Sequence, residues 1–276
     1  MKIGIIGLGL MGGSLSLAMR ELYDDLEVIG LDHNPQHGIE ALKLNLVDKV
    51  VETLDEIKEV DVLFLSVPVD GIIAILKHLP PLPETTTVID LGSTKARIVA
   101  SVPEAIRPNF VAAHPMTGTE KFGPSAAFAE LYRGKAVVLC NLEESGDHQQ
   151  ERARSLFTDL GMKLFYMDAE AHDRHAALIS HMPHAVSYAL AHSVMNQEDP
   201  RAIIALAGGG FRDMSRIAKS SPAMWRDVFE QNAENLTEAI DAFSAELDRC
   251  RTLVAEKKWE ELYAWMEGAN RLHEIL

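Results

Sequence analysis

Cysteines and long apolar runs are both scarce in this chain of 276 residues. Its two cysteines, Cys140 and Cys250, form no metal-binding or redox spacing, so two reduced thiols in a reducing compartment are a simpler interpretation than one disulfide. No apolar run reaches about 18 residues, so no membrane-spanning helix is expected. The apolar N-terminus carries one lysine and a regular glycine pattern, which disfavours a signal peptide. We therefore expect a cytoplasmic protein.

Positive charge is also in short supply. The chain has 26 Lys and Arg residues against 41 Asp and Glu residues, which gives a formal net charge of −15. A field of this sign repels nucleic acid and anionic membrane surfaces, so neither is expected as a partner. A small anionic substrate is compatible with the charge only if Arg or Lys side chains are concentrated locally.

Short β-branched apolar runs alternate with helical patterns in the first part of the chain. Such runs are typical of strands buried on both faces, and their alternation with helices favours an α/β fold with a doubly wound, mainly parallel sheet. The strand-like runs cover residues 2–7, 26–32, 60–68, 86–92, 109–114, 135–140 and 163–168, and one of the helical patterns covers 93–102. We therefore place a first domain at residues 1–168.

The pattern becomes entirely helical after residue 168. Apolar residues recur at helical spacing over 169–196, 222–257 and 259–276, and Pro183 is expected to kink the first of these helices. We predict a second, all-helical domain over residues 169–276. Long amphipathic helices in a small domain usually bury a face against a partner, so we expect a homodimer through this domain.

The stretch GLGLMG places Gly7, Gly9 and Gly12 in the spacing of a dinucleotide-binding loop. The loop follows a strand and opens a helix, and Asp32 ends the next strand 20 residues after Gly12. This context predicts a Rossmann-type domain, whose acidic residue accepts from a ribose hydroxyl and repels a 2′-phosphate, so NAD is favoured over NADP. The predicted cofactor-binding residues are Gly7, Leu8, Gly9, Leu10, Met11, Gly12 and Asp32, with Ser66, Val67 and Pro68 at the end of a neighbouring strand.

Two further motifs end strands of the same sheet. DLGSTK contains Ser93, and AAHPMTGTEKFG contains His114. Because the carboxyl ends of parallel strands open onto one crevice, His114 is a candidate general base beside the cofactor. The alternatives are a structural or solvated histidine, and a Ser93–Thr94 pair that only caps the following helix.

The predicted helical domain contributes two more candidate sets. Four histidines lie within HDRHAALISHMPH, over residues 172–184. No Cys or carboxylate completes a known metal set there, so polar groups lining a domain interface are favoured over a metal site. Arg212 and Arg216 are four residues apart and would share one helix face, where they form either a carboxylate clamp or a surface salt-bridge cluster.

These motifs together resemble the prephenate dehydrogenase family, including its arogenate-using members. The motifs are GLGLMGGSL, DLGSTK, HPMTGTEKFG, SHMPH and GGGFRDMSRIAKSSPAMWRD. The resemblance implies a Rossmann domain joined to a helical dimerisation domain, and the NAD-dependent conversion of prephenate to 4-hydroxyphenylpyruvate and carbon dioxide in tyrosine biosynthesis. It implies that His114 accepts the proton of the ring hydroxyl and that Ser93 hydrogen-bonds beside it. The substrate-binding residues that it implies are Arg216, His184, His181, Thr119, Asp213, Gly209 and Trp225.

The chain departs from the family pattern at Thr117, where the family often has Ala, and at Phe122, where it often has Ser. We expect neither a chorismate mutase segment before the first domain nor a regulatory domain after the helices, and we therefore expect any tyrosine inhibition to act at the active site or the dimer interface. Three alternatives stay open: arogenate as the substrate, a β-hydroxyacid dehydrogenase, and a non-catalytic NAD-binding regulator. The second would need a catalytic lysine where this chain has histidines.

Overall fold

The N-terminal part of the molecule is a single eight-stranded sheet. The computed structural model describes residues 1–275. The strands are β1 (Lys2–Ile6), β2 (Glu27–Leu31), β3 (Lys49–Val50), β4 (Val62–Leu65), β5 (Thr87–Asp90), β6 (Phe110–Pro115), β7 (Ala136–Cys140) and β8 (Lys163–Met167). Their order across the sheet is β3-β2-β1-β4-β5-β6-β7-β8. Every neighbouring pair is parallel except β6 and β7, which are antiparallel.

Helices cover both faces of this sheet. They are α1 (Leu10–Leu22), α2 (Pro35–Lys43), α3 (Leu54–Ile57), α4 (Val69–His78), α5 (Ala96–Ser101) and α6 (Asp147–Asp159). Alternate side chains of the central strands enter two separate apolar clusters, so that Ile5 and Phe64 belong to one and Ile6 and Leu65 to the other. The predicted α/β fold with a mainly parallel sheet is confirmed, and β3 is an additional two-residue strand.

Every element after β8 is helical as far as residue 275. These elements are α7 (Ala169–Ala176), α8 (Met182–Met195), α9 (Pro200–Ala205), α10 (Gly209–Ser215), α11 (Pro222–Gln231), α12 (Ala233–Ala255), α13 (Trp259–Asn270) and α14 (Leu272–Ile275). None of the helices within the described chain is long and apolar enough to cross a membrane.

Each of the three predicted long helices is interrupted in its regular α-helical structure. One turn of π-helix, Ala177–His181, separates α7 from α8, and Pro183 lies in the first turn of α8. Proline donates no backbone N–H, and a turn of π-helix directly before it is one way in which a continuous helix accommodates the interrupted hydrogen-bond ladder. The stretch 222–257 is divided at Asn232, and the stretch 259–276 is divided at Arg271, with Leu276 outside the described residues.

The segment 93–95 also differs from its prediction as helix. Helix α5 begins at Ala96, and neither Ser93 nor Thr94 caps it. The Thr94 hydroxyl instead donates to Oε1 of Gln231 in α11 at 2.8 Å. The backbone N–H groups of Lys95 and Ala96 donate to the two carboxylate oxygens of Asp173 in α7, at 2.8 and 2.9 Å. A residue of the helical part thus caps a helix of the sheet part and fastens the two together.

Candidate active site

The register of the sheet places four motifs at one edge. Ile6, at the end of β1, is paired with Leu65 of β4, Leu65 with Asp90 of β5, and Asp90 with Ala112 of β6. The glycine loop, Ser66, Ser93 and His114 come at or directly after these positions. They therefore follow adjacent strands onto the same crevice, as binding residues do in doubly wound sheets.

Each of the three glycines of the loop is required, or useful, for a different geometric reason. Gly7 has φ +97°, a left-handed conformation that side chains rarely adopt, and an added Cβ would also lie 2.7 Å from the carbonyl carbon of Ser66. A Cβ at Gly12 would overlap the carbonyl oxygen of Gly7. Gly9 is different, because the nearest atom to its added Cβ is the backbone nitrogen of Gly123 at 4.0 Å. The backbone at Gly9 is thus open to close approach by a ligand.

Asp32 connects this loop to the end of β2. Its carboxylate accepts from the backbone N–H of Leu8 at 2.8 Å and from that of Asn34 at 2.9 Å. The ring nitrogens of His37 and His33 lie 3.3 and 3.5 Å from the same carboxylate. The carboxylate therefore lies directly against the glycine loop, where it can meet a ribose.

Ser66, Val67 and Pro68 connect β4 to α4 beside the glycine loop. The Ser66 backbone N–H donates to the carbonyl of Ile6 at 2.7 Å. Its hydroxyl oxygen is buried and has no hydrogen-bond partner within residues 1–275. An unpaired buried hydroxyl is uncommon and is expected to find a partner when the crevice is filled.

His114 lies near the end of β6 and is hydrogen-bonded through one side of its ring. Its Nδ1 lies 2.8 Å from Nε2 of His172, and the two rings meet edge to face with centroids 4.9 Å apart. Burial lowers the pKa of His114 well below its usual range, and the nearby His172, Lys95 and His181 lower it further. The ring is therefore neutral near pH 7 and able to accept a proton.

A buried ion pair supports the strand ends on either side of His114. The Lys95 ammonium and the Asp90 carboxylate are both fully buried and form a salt bridge. Lys95 Nζ also donates to the carbonyl of Ala113 at 2.9 Å, and the backbone N–H of Ala113 donates to Asp90 at 3.2 Å. These bonds join the loop that carries Ser93 to the residue that precedes His114.

The helical part contributes an aromatic and histidine cluster. The rings of His184 and Trp225 are stacked with centroids 3.4 Å apart, and His181 meets Trp225 edge to face at 6.1 Å. Burial lowers the pKa of His181 to about 4 and also lowers that of His184, to which the positive charge of Arg216 contributes. The buried Trp225 Nε1 has no hydrogen-bond partner in the described chain.

The remaining sequence candidates are exposed. Arg212 lies within α10, and Arg216 directly follows this helix as the first residue of a 3₁₀ turn, Arg216–Lys219. Neither guanidinium has an acidic partner within ion-pair distance in the described chain, so the alternative of a surface salt-bridge cluster is not formed. Within residues 1–275, neither Thr119 nor Asp213 forms a side-chain hydrogen bond with His114, and no atom lies within 4 Å of a Cβ added at Gly209. Within residues 1–275 no three His, Cys, Asp or Glu side chains are placed to hold a metal ion.

Sequence reasoning missed two buried residues directly behind His114. His172 and Asp173 are 2% and 3% exposed, and His172 Nδ1 lies 2.8 Å from the Asp173 carboxylate. Within residues 1–275, no hydrogen bond joins Ser93 to His114. The His114 ring is hydrogen-bonded to His172 instead. The only signal for His172 and Asp173 in the sequence is their place in the histidine-rich segment. The contact of His172 with His114 could not be predicted because it depends on how α7 packs against the sheet.

Two family models match the chain. The model described as "Prephenate dehydrogenase, nucleotide-binding domain" matches residues 15–166, and "Prephenate dehydrogenase, dimerization domain" matches residues 168–268. The prephenate dehydrogenase of Bacillus subtilis (strain 168) is 31% identical over 272 residues, which cover 96% of this chain and 73% of that relative.

Solved structures of prephenate and arogenate dehydrogenases are similar in fold to this protein over nearly the whole chain. The prephenate dehydrogenase of Aquifex aeolicus, solved in complex with hydroxyphenyl propionate and NAD+, has a TM-score of 0.91 and 32% identity over 100% of this chain and 98% of that one. The arogenate dehydrogenase of Synechocystis has a TM-score of 0.81 and 28% identity over 99% of both chains. Since the two family models together span most of the chain and the fold agrees throughout, the chain belongs to the prephenate dehydrogenase family.

Proposed function

We propose that the protein catalyses the NAD-dependent oxidative decarboxylation of prephenate to 4-hydroxyphenylpyruvate. The observation that carries this proposal is the position of His114. It stands at the same sheet edge as the glycine loop, its Nδ1 is occupied by His172, and its Nε2 has no protein partner within residues 1–275. A neutral imidazole held in this way beside a dinucleotide site is suited to accept a hydroxyl proton.

The residues at the crevice fit NAD. The loop between β1 and α1 offers backbone at Gly9 for the diphosphate, and the start of α1 supplies the positive end of a helix dipole. The Asp32 carboxylate would accept from a ribose hydroxyl and repel a 2′-phosphate, and the unpaired Ser66 hydroxyl lies next to the loop. Leu8, Leu10, Met11, Gly12, Val67 and Pro68 complete the proposed cofactor-binding set. When bound, NAD supplies the hydride acceptor for the ring carbon that bears the 4-hydroxyl.

In this mechanism His114 accepts the proton of that hydroxyl at Nε2, as hydride leaves the same carbon. The lowered pKa keeps the ring in its accepting form. Negative charge on the bound substrate would raise that pKa toward neutrality, which favours proton transfer. Loss of the ring carboxylate as carbon dioxide makes the ring aromatic and drives the reaction forward. Ser93, in the loop held by Lys95, would hydrogen-bond beside the same hydroxyl.

The helical part would hold the rest of the substrate. Arg216 is a cation without an acidic partner in the described chain, in a protein with a net charge of −15, and it acts on His184 electrostatically. We assign it to a substrate carboxylate, which guanidinium binds through two hydrogen bonds. His184 and His181, arranged around Trp225, would line the pocket. Thr119, Asp213 and Gly209 are assigned, from their match to family positions, to the surroundings of the substrate or the domain junction.

Arogenate is the competing substrate, since it differs from prephenate by an amino group in place of a keto group.

A homodimer through the helical part is the proposed assembly. Exposed apolar side chains directly after α9 and on α12 and α13 support it, among them Leu206 (89% exposed), Leu247 and Tyr263.

The test follows NADH absorbance with prephenate and arogenate in turn, each with NAD and with NADP. The proposal predicts turnover of prephenate with NAD at a kcat/KM above that of the other three combinations. Preferred turnover of arogenate would reassign the substrate and leave the family chemistry in place. No turnover of either substrate would overturn the proposed function.

A further inference from the structure

A line of three hydrogen-bonded side chains runs from His114 into the helical part. His114 Nδ1 lies 2.8 Å from His172 Nε2, and His172 Nδ1 lies 2.8 Å from Asp173 Oδ1. The same carboxylate accepts the backbone N–H groups of Lys95 and Ala96. Only His114 reaches the crevice, because the other two side chains are buried.

The donors and acceptors of this line have one consistent assignment when His172 is neutral. The pKa of Asp173 is lowered, because its hydrogen bonds to His172, Ala96 and Lys95 outweigh the opposing effect of burial, so the carboxylate is ionised and can only accept. His172 must then carry its proton on Nδ1 and offer a lone pair at Nε2. His114 must donate to that lone pair from Nδ1, and its own Nε2 is left unprotonated toward the crevice.

We propose that His172 and Asp173 are positioning residues that hold His114 in the tautomer protonated on Nδ1 and support the imidazolium formed during the reaction. The inference rests on the proposed function of His114. The substrate hydroxyl loses its proton to His114 Nε2, while the Nδ1 proton stays in its hydrogen bond to His172. One O–H bond breaks and one N–H bond forms, and no further proton acceptor is needed. A histidine in the wrong tautomer cannot act as a base, which is why orienting groups matter at such sites.

The other charged groups around this line do not replace it. Lys95 is neutralised by Asp90 in a fully buried pair, and its ammonium is directed to that carboxylate and to the Ala113 carbonyl. His181 is held by Asn232, whose side-chain nitrogen lies 3.1 Å from His181 Nδ1. Within the described chain, His172 is the one side chain that hydrogen-bonds His114.

The opposite arrangement makes a distinct prediction. If His172 were an imidazolium, both of its nitrogens would donate, His114 Nδ1 would accept, and His114 Nε2 would carry the proton. The ring would then present a donor to the substrate hydroxyl instead of a lone pair. The tautomer of His114 therefore separates the two arrangements before any substrate is added.

The experiment uses the 276-residue protein labelled with ¹⁵N in histidine, and compares wild type with three variants, while a fourth variant serves only for signal assignment. His172→Leu removes the acceptor, and His172→Gln keeps an amide oxygen that can accept. The matched control is His175→Gln, because His175 is an exposed residue one turn further along the same helix. Long-range ¹H–¹⁵N spectra report the tautomer of His114, which is assigned by the signals missing from His114→Asn.

We expect His114 to be protonated on Nδ1 in wild type and in the His175 control, and to lose this preference in His172→Leu. With prephenate and NAD, kcat should fall about 10- to 100-fold in His172→Leu, less than a general base itself contributes, and by a smaller factor in His172→Gln. The Kd for NAD should stay close to wild type, which excludes a general loss of structure, while the Tm of His172→Leu should fall because the buried Asp173 loses a hydrogen-bond donor.

Two results would overturn the inference: a His114 that is protonated on Nε2 in wild type, or a kcat in His172→Leu equal to that of the control. Failure of the proposed function is a different result. In that case wild type turns over neither substrate, while the His172-dependent tautomer is still measured.

Discussion

Acid should destabilise the folded protein through His181, which is buried in its neutral form. The side chain is 1% exposed, and burial lowers its pKa from 6.5 to about 4. The unfolded chain therefore binds this proton at a higher pH than the folded protein does. The stability that depends on a neutral His181 is fully present above about pH 6.5 and is lost as the pH falls toward about 4.

The size of this loss of stability follows from the difference between the pKa of His181 in the unfolded and in the folded protein. One pKa unit is worth about 1.4 kcal/mol, so the full loss is about 3 kcal/mol, and roughly 2 to 3 kcal/mol of it should be reached by about pH 4.5. This is a large share of the stability of an ordinary domain. His181→Asn removes the titrating ring and keeps a polar atom near Asn232, with which His181 is hydrogen-bonded.

Urea unfolding at about pH 7.5 and about pH 4.5, at one protein concentration, measures the difference. The free energy of unfolding should fall between the two pH values by roughly 2 to 3 kcal/mol less in His181→Asn than in wild type. The exposed His175 provides the control, and His175→Asn should follow wild type. The same pH dependence in wild type and His181→Asn would refute the reasoning.

Three further predictions concern ligand binding. A Cβ at Gly12 would overlap a backbone carbonyl of the glycine loop, so Gly12→Ala should weaken NAD binding at least about tenfold by calorimetry, while Gly268→Ala, where no atom lies within 4 Å, should not. Asp32→Asn should lower the ratio of kcat/KM with NAD to that with NADP, and an unchanged ratio would contradict the assignment of Asp32. Arg216→Gln should raise the KM for prephenate about 10- to 100-fold with a smaller change in kcat, and an equal effect from Arg212→Gln would count against a specific role.

The strands and the crevice could be predicted because their signals are local. A run such as VLFL at Val62–Leu65 is apolar on both faces, and GLGLMG has a spacing that few other structures require. Strand alternation then places the ends of neighbouring strands together, so that His114 could be assigned to the crevice from sequence.

Features that depend on tertiary packing could not be predicted. Lys49–Val50 is too short to show a strand pattern, and the antiparallel direction of β7 leaves no trace in its apolar run. The break at Asn232 comes from its side-chain bonds to the Asp173 carbonyl and to His181, which are distant in sequence. Asp173 likewise caps a helix that begins 77 residues earlier. Phe122, 82% exposed, has no role that the structure explains.

The most direct test of the central claim is the turnover of prephenate with NAD by wild type and by His114→Asn. The account predicts that wild type forms NADH and that kcat in the variant is lower by about 10²- to 10⁴-fold, which is the range for a general base. The Kd for NAD should be the same in both proteins, because His114 lies outside the glycine loop. Equal turnover by wild type and His114→Asn would contradict the assignment of His114 as the base.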